Sequence, residues 1–193
     1  MFILQSNIQQ TISKVIKAVA VGINLEDQII ESDRLYSCVD QCERIKSARD
    51  ATEIPIFINA RTDIFLQTSP EDHNINHLEE ALFRASAYNK SGADGFFVPG
   101  LQGEKLIKEL CNISPIPVNI MITANGPNPE RLVKLGVSRI SYGPSPYCNA
   151  MAGFIESAKK TMNLYDVRHR KGILSTNPRG GTFLSKKPHL YRP

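Results

Sequence analysis

The chain has 193 residues, 41% of them hydrophobic and 22% charged, with a formal net charge of +4. That suffices for one domain with a true core and is short for two. Twelve glycines and twelve prolines are spread along it, which excludes collagen-like and low-complexity classes, and no apolar run approaches the roughly 18–20 residues of a membrane-spanning helix.

The predicted elements follow one grammar from end to end. Residues 6–19 read as an amphipathic helix, with Ser6 as its cap and Ile8, Ile12, Val15, Ile16 and Val19 on one face. A strand follows at Val21-Gly22-Ile23-Asn24-Leu25 and ends in Glu26-Asp27. Residues 38–51 are expected to be helical, with Val39, Cys42, Ile45 and Ala48 inward, and the strand Ile56–Arg61 comes next. The clearest helix spans 76–91, striped by Leu78, Ala81, Leu82, Ala85 and Tyr88 and ended by Gly92. The strand Gly95–Val98 leads to a helix carrying Leu106, Ile107, Leu110 and Cys111, and then to the strand Pro117–Ile122. Asn128-Pro129 is a cap and first-turn pair for a helix that stops at Gly136, before the strand Arg139–Tyr142. Ser145-Pro146 opens a last helix, expected to bury Met151, Phe154, Ile155, Ala158 and Met162.

Five apolar strands alternating with six helices point to parallel βα units. Polar residues gather at strand C-terminal ends, no strand is followed by Gly-x-Gly-x-x-Gly, and the units run in series without a switch point. These features favour a TIM (β/α)8-type barrel over an open doubly wound sheet. A full barrel takes about 250 residues, or about 31 per unit, so residues 1–163 hold about five units. The expected fold is therefore an α/β barrel that is incomplete at its N-terminal side. Five strands cannot close such a barrel, and the free sheet edges lead to the expectation of a homo-oligomer.

The charge is unevenly divided. Residues 164–193 hold seven Lys/Arg against Asp166 alone, while residues 1–163 carry 16 bases against 18 acids. The segment 164–193 is thus expected to be a basic, solvated tail beside the barrel body. Contact of such a tail with nucleic acid ranks last, because it lacks an arginine–aromatic repeat, and Phe183, Leu184, Leu190 and Tyr191 could instead dock on a neighbouring subunit. The start Met1-Phe2-Ile3-Leu4-Gln5-Ser6 has no basic n-region, so a cytoplasmic location without membrane contact is expected. Four cysteines at this length read as free thiols, and no zinc-ligand spacing is present.

The residues that could carry chemistry lie at strand ends. Glu26 and Asp27 are adjacent, so they point to opposite sides of the sheet and only one can serve a site. Glu26 suits Mg²⁺, which takes oxygen ligands and keeps several waters, and it equally suits a salt bridge at the rim. Arg61 offers a fixed cationic fork for a carboxylate or phosphate, or an ion pair with Asp63 or Glu26. Asn59 lies two residues earlier on the same face and could meet the same ligand. His73 and His77 are expected to face solvent, and Cys38 and Cys42 to pack in a helix rather than act as nucleophiles.

Four segments in register carry a family resemblance: Gly22-Ile23-Asn24-Leu25-Glu26-Asp27-Gln28, Phe57-Ile58-Asn59-Ala60-Arg61-Thr62-Asp63, Ser91–Gly100 and Leu135–Gly143. Over roughly residues 6–160 the chain resembles the isocitrate lyase/phosphoenolpyruvate mutase superfamily, closest to its phosphoenolpyruvate-mutase-like, carboxyphosphonoenolpyruvate mutase-like subgroup. The resemblance implies a Mg²⁺-dependent (β/α)8 barrel acting on a small 2-oxo or 2-hydroxy acid through an enolate-like species, a C–C lyase before a P–C mutase. It implies that Glu26 holds Mg²⁺ through water and that Arg61, with Asn59, binds substrate. The last helix, residues 145–163, would be the one exchanged between subunits.

The departures from the family pattern are specific. The strands carrying the family's main Mg²⁺ carboxylates would precede residue 6 and are absent from the sequence. No Lys-x-Cys-Gly-His motif follows the Glu-Asp strand, so isocitrate and methylisocitrate lyase activities are not expected, and Pro99-Gly100 stands where several branches place Glu or His. The alternative expectation is a truncated, non-catalytic relative acting as a folded fragment or oligomer partner.

Overall fold

Short apolar runs between amphipathic stretches fold as the pattern requires. In the computed structural model, which describes residues 8–170 with side chains to position 163, the order is α1 (Ile8–Lys17), β1 (Gly22–Glu26), α2 (Cys38–Arg49), β2 (Phe57–Arg61), α3 (Ile75–Lys90), β3 (Gly95–Val98), α4 (Glu104–Ile113), β4 (Val118–Met121), α5 (Pro129–Lys134), β5 (Arg139–Ser141) and α6 (Ser145–Arg170). Two unanticipated 3-10 turns, Ile64–Leu66 and Pro70–Asp72, lie between β2 and α3. The expected Ser6 cap and the tail residues Phe183, Leu184, Leu190 and Tyr191 lie outside the described residues. No helix among the described residues is long and apolar enough to cross a membrane.

The chain divides into two units, Met1–Pro144 and Ser145–Pro193. In the first, every strand pair is parallel and the sheet order is β1-β2-β3-β4-β5. A doubly wound sheet reverses its order at a switch point. This sheet does not, and it has the topology of five consecutive units of a (β/α) barrel. Right-handed crossovers put all the connecting helices on one side. There Leu25, Ile58, Ala60, Phe96, Val98, Val118 and Ile120 bury against Ile12, Ile45, Leu78, Ile107, Leu110 and Leu132 in one apolar cluster.

Local chemistry sets the boundaries. Asn74 caps α3 in a reciprocal box with His77, and Asn128 caps α5 by accepting from the Arg131 N–H. Gly92 and Gly136 end helices at φ of +103° and +92°, a region that costs a residue with a Cβ. Arg49 ties α2 to the sheet by donating to the Ile56 and Gly92 carbonyls and to Asp94. The Asp94 carboxylate also accepts from the Ile58 N–H at 2.8 Å, so the Gly92–Asp94 turn is pinned from both sides.

Two expectations are corrected. Val39 points to solvent, and the inward polar residues of α2 are Gln41 and Arg44. They face in because the Gln41 amide donates to the Leu25 carbonyl and the Arg44 guanidinium to the Glu26 carbonyl at the end of β1. On α6, Met151, Phe154, Ile155 and Met162 are exposed rather than buried. The described part of the second unit is this one helix.

Candidate functional site

Strand alternation and register decide which side chains meet. On the face away from the helices, β1 contributes Asn24 and Glu26, β2 Asn59 and Arg61, β3 Gly95 and Phe97, β4 Asn119 and Met121, and β5 Arg139 and Ser141. Glu26 stands opposite Arg61, and Arg61 opposite Phe97. This face is polar where the other is apolar.

Arg61 is the centre of the cluster. Its Nε and Nη2 donate to the two oxygens of Asp63 at 2.6 and 2.9 Å, and its Nη1 lies 3.0 Å from Glu26 Oε2. Its guanidinium carbon lies 5.7 Å from the centre of the Phe97 ring. Asp63 is buried while Glu26 is half open to solvent, so the fork is fixed on one edge and accessible on the other. Burial works against the Arg61 charge, but the hydrogen bonds and charge of Asp63, and then Glu26, hold its pKa above the ordinary arginine value. Both ion pairs that the sequence allowed for Arg61 are thus present together.

Asn59 occupies the next layer of the same face. It is buried, its amide donates to Asn24 Oδ1 at 2.8 Å, and its own Oδ1 has no partner among the described residues. Gly95 makes room for it: a Cβ there would stand 3.0 Å from Asn59 Oδ1 and 2.9 Å from the Phe57 ring. The structure therefore brings Glu26 and Arg61 together and leaves Asn59 a layer away, bonded to neither. Asn119, which sequence reasoning passed over, is a second buried amide whose Oδ1 lacks a partner among the described residues. Its signal was a polar residue inside the apolar run Val118-Asn119-Ile120.

Asp27 points the other way, as strand alternation requires. It is fully buried on the helix side, where Oδ2 accepts from Arg84 at 3.1 Å and from the Tyr88 hydroxyl at 3.0 Å, and Oδ1 accepts from the Asp63 N–H at 3.0 Å. Burial raises its pKa in spite of the bonds to Asp63, Arg84 and Tyr88. Burial, together with the Asp27 charge, also pushes the Tyr88 phenol up and keeps it protonated as a donor. The network was not foreseen, because its members lie far apart in sequence.

The donor set can be weighed against Mg²⁺. Among the described residues no group of three or more His, Cys, Asp or Glu could hold a metal ion. Glu26 offers one half-exposed carboxylate, already 3.0 Å from a guanidinium, and Asp63 is committed to the same arginine. These residues do not make a complete Mg²⁺ site.

His73 and His77 are half-buried instead of facing solvent: their rings lie 4.9 and 6.0 Å from Phe65, and His77 Nδ1 accepts from the Asn74 N–H. Cys38 and Cys42 pack against the core as expected. Burial, with Cys42 beside it, pushes the Cys38 thiol up to about 11, and burial does the same to Cys111. Iodoacetamide near neutral pH should therefore label the exposed Cys148 first, and Cys38 and Cys111 only as pH approaches 11. Peptide mass mapping reads this; labelling of Cys38 or Cys111 as fast as Cys148 at neutral pH would contradict it.

Comparison with known proteins places these features in context. The phosphoenolpyruvate phosphomutase family model matches residues 4–162. A solved structure of a candidate phosphonomutase from Burkholderia cenocepacia is 41% identical with a TM-score of 0.79, covering 81% of this chain and 64% of that one. An oxaloacetate decarboxylase from Pseudomonas entomophila is 23% identical over 95% of this chain. A 2-methylisocitrate lyase from Salmonella typhimurium is 29% identical over 64% of it. The chain spans 63% and 42% of the length of those two curated relatives.

Proposed function

The chain belongs to the phosphoenolpyruvate phosphomutase family, a family of lyases and mutases, and from that premise we propose that the Glu26–Arg61 cluster binds the carboxylate of a small 2-oxo or 2-hydroxy acid. The observation that carries the reading is the Arg61 guanidinium, fixed on one edge by buried Asp63 and open on the edge it shares with Glu26. A fork held in this way recognises a carboxylate in two-point fashion and loses little freedom on binding. A C–C lyase is favoured over a P–C mutase, with Asn59 lining the layer beneath the ligand.

Charge argues for a cation as well. Glu26 and Asp63 against Arg61 leave the cluster one negative charge, so an acid anion docks best with a cation beside Glu26. Among the described residues, however, no group of three or more acidic, His or Cys side chains gathers to hold Mg²⁺ there. That shortfall favours a second reading, a non-catalytic relative that binds a small acid or serves as an oligomer partner. Among the described residues the outer edges of β1 and β5 have no strand partner, which is consistent with a homo-oligomer.

Purified protein should be incubated with Mg²⁺ and oxaloacetate, dimethylmalate or phosphonopyruvate, and pyruvate measured. Pyruvate that forms with one of them and disappears in Arg61→Ala is the expected result. Binding of these acids without pyruvate would replace the catalytic reading with the second, and neither binding nor pyruvate would end both.

A further inference from the structure

We propose that Asp27, on the helix side of the sheet, is a positioning residue that aims Arg61 on the other side. This rests on the reading of Arg61 as the ligand-binding group. Asp27 brackets the turn after β2: its N–H donates to the Arg61 carbonyl at 3.1 Å, and its carboxylate accepts from the Asp63 N–H at 3.0 Å. Between these anchors lies Thr62, whose N–H donates to the Phe97 carbonyl at 3.0 Å. The residue that holds the Arg61 fork is therefore itself held by Asp27.

Asp27 is in turn immobilised by α3. Arg84 and the Tyr88 hydroxyl both reach its Oδ2, Arg84 also donates to the Tyr36 carbonyl at 3.0 Å, and Arg84 Nε is 2.8 Å from Glu80. Asp27 and Tyr88 are fully buried and Arg84 nearly so. A carboxylate used only to satisfy a helix arginine would not need to accept from the peptide that orients the site. Here one carboxylate does both, and a rigid path runs from Arg84 and Tyr88 through Asp27 and Asp63 to the guanidinium. Groups that orient a binding residue by hydrogen bonding change its performance by about 10- to 100-fold when removed, without touching ligand.

The decisive measurement needs no ligand. The Arg61 Nε–H should give a protected side-chain resonance in ¹⁵N-labelled protein. In Asp27→Asn its hydrogen exchange should quicken about tenfold, since one of the two oxygens becomes an NH2 and the side chain can accept from the Asp63 N–H or from Arg84 and Tyr88, but not from both sides at once. Tyr88→Phe, which keeps the packing and deletes one hydroxyl, should give a smaller increase in the same direction and carries the test should Asp27→Asn fail to fold. Ile107→Val, a core change remote from the path, should leave the rate at the wild-type value. An unchanged Arg61 rate in Tyr88→Phe and in folded Asp27→Asn, or an equal rise in Ile107→Val, overturns the proposal. Titration with oxalate tests the underlying reading separately: Arg61→Ala binding as tightly as wild type would end the ligand role of Arg61 and leave the exchange result standing.

Discussion

Arg61→Ala should strongly weaken binding of a small 2-oxo acid at the strand ends, raising the dissociation constant for oxalate by about two orders of magnitude or more. Truncating one partner of a buried, hydrogen-bonded charge pair costs about 2–5 kcal/mol, and each 1.4 kcal/mol is about tenfold. The substitution removes the ligand's cation and also leaves Asp63, which is 1% exposed, without its partner. The same variant should therefore lose stability, by about 1–3 kcal/mol for a buried acceptor left unmatched. Arg61→Lys separates the two effects. It restores charge beside Asp63 without the two-point fork, so stability should largely return while binding stays weak. Calorimetric titration and thermal melting of the two variants check this; oxalate binding by Arg61→Ala within threefold of wild type would refute it.

Arg84→Leu should have the largest effect on stability. It strips the ion-paired guanidinium from fully buried Asp27, a change that costs about 3–5 kcal/mol in comparable buried pairs. Total stability is only about 5–15 kcal/mol, and at about 2–4 °C per kcal/mol the melting point should fall by about 6–20 °C. The sign of the pH dependence follows from Asp27. Its folded pKa is raised above the ordinary carboxylate value, so the fold favours its neutral form, and that contribution is present below the unfolded pKa and lost as pH rises through the folded one. Without Arg84 the folded pKa rises further. The deficit of Arg84→Leu relative to wild type should thus be greatest at neutral pH and shrink on acidification. A melting point within 2 °C of wild type at neutral pH, or a deficit that grows in acid, would contradict the account.

Much of this architecture was legible in the sequence because each βα unit is punctuated by residues with few alternatives. Asn128-Pro129 and Gly136 bracket α5, Gly92 ends α3, and Glu26-Asp27 mark the end of β1. Strand alternation put Asn59 and Arg61 on one face and turned Glu26 and Asp27 to opposite sides, but only the register of β1 against β2 sets Glu26 beside Arg61. What periodicity counted wrongly was polarity. It put Val39 inside and overlooked Gln41 and Arg44, because an apolar count cannot see a side chain buried to reach a carbonyl. Arg84 falls between Ala81 and Ala85 on the buried stripe of α3, and such a cation requires a buried partner. Asp27, the strand-end acid turned toward the helices, was available, but only tertiary structure joins residues so far apart. Whether Arg61 met a ligand or an ion pair was undecidable from spacing, since both partners lie within reach in either case.

The sheet order has a kinetic corollary. Among the described residues every strand pairs only with its neighbours in the chain, Gly22 with Phe57 at one end and Asn119 with Arg139 at the other. No pairing waits for a distant segment, so the loop-closure entropy of each addition stays modest and contact order stays low for a parallel sheet. The hydrogen bonds of Asp94 to Ile58 and of Arg49 to Gly92 fasten the β3 unit to the one before it. Such a chain can grow by accretion, one βα unit docking on the last as synthesis proceeds.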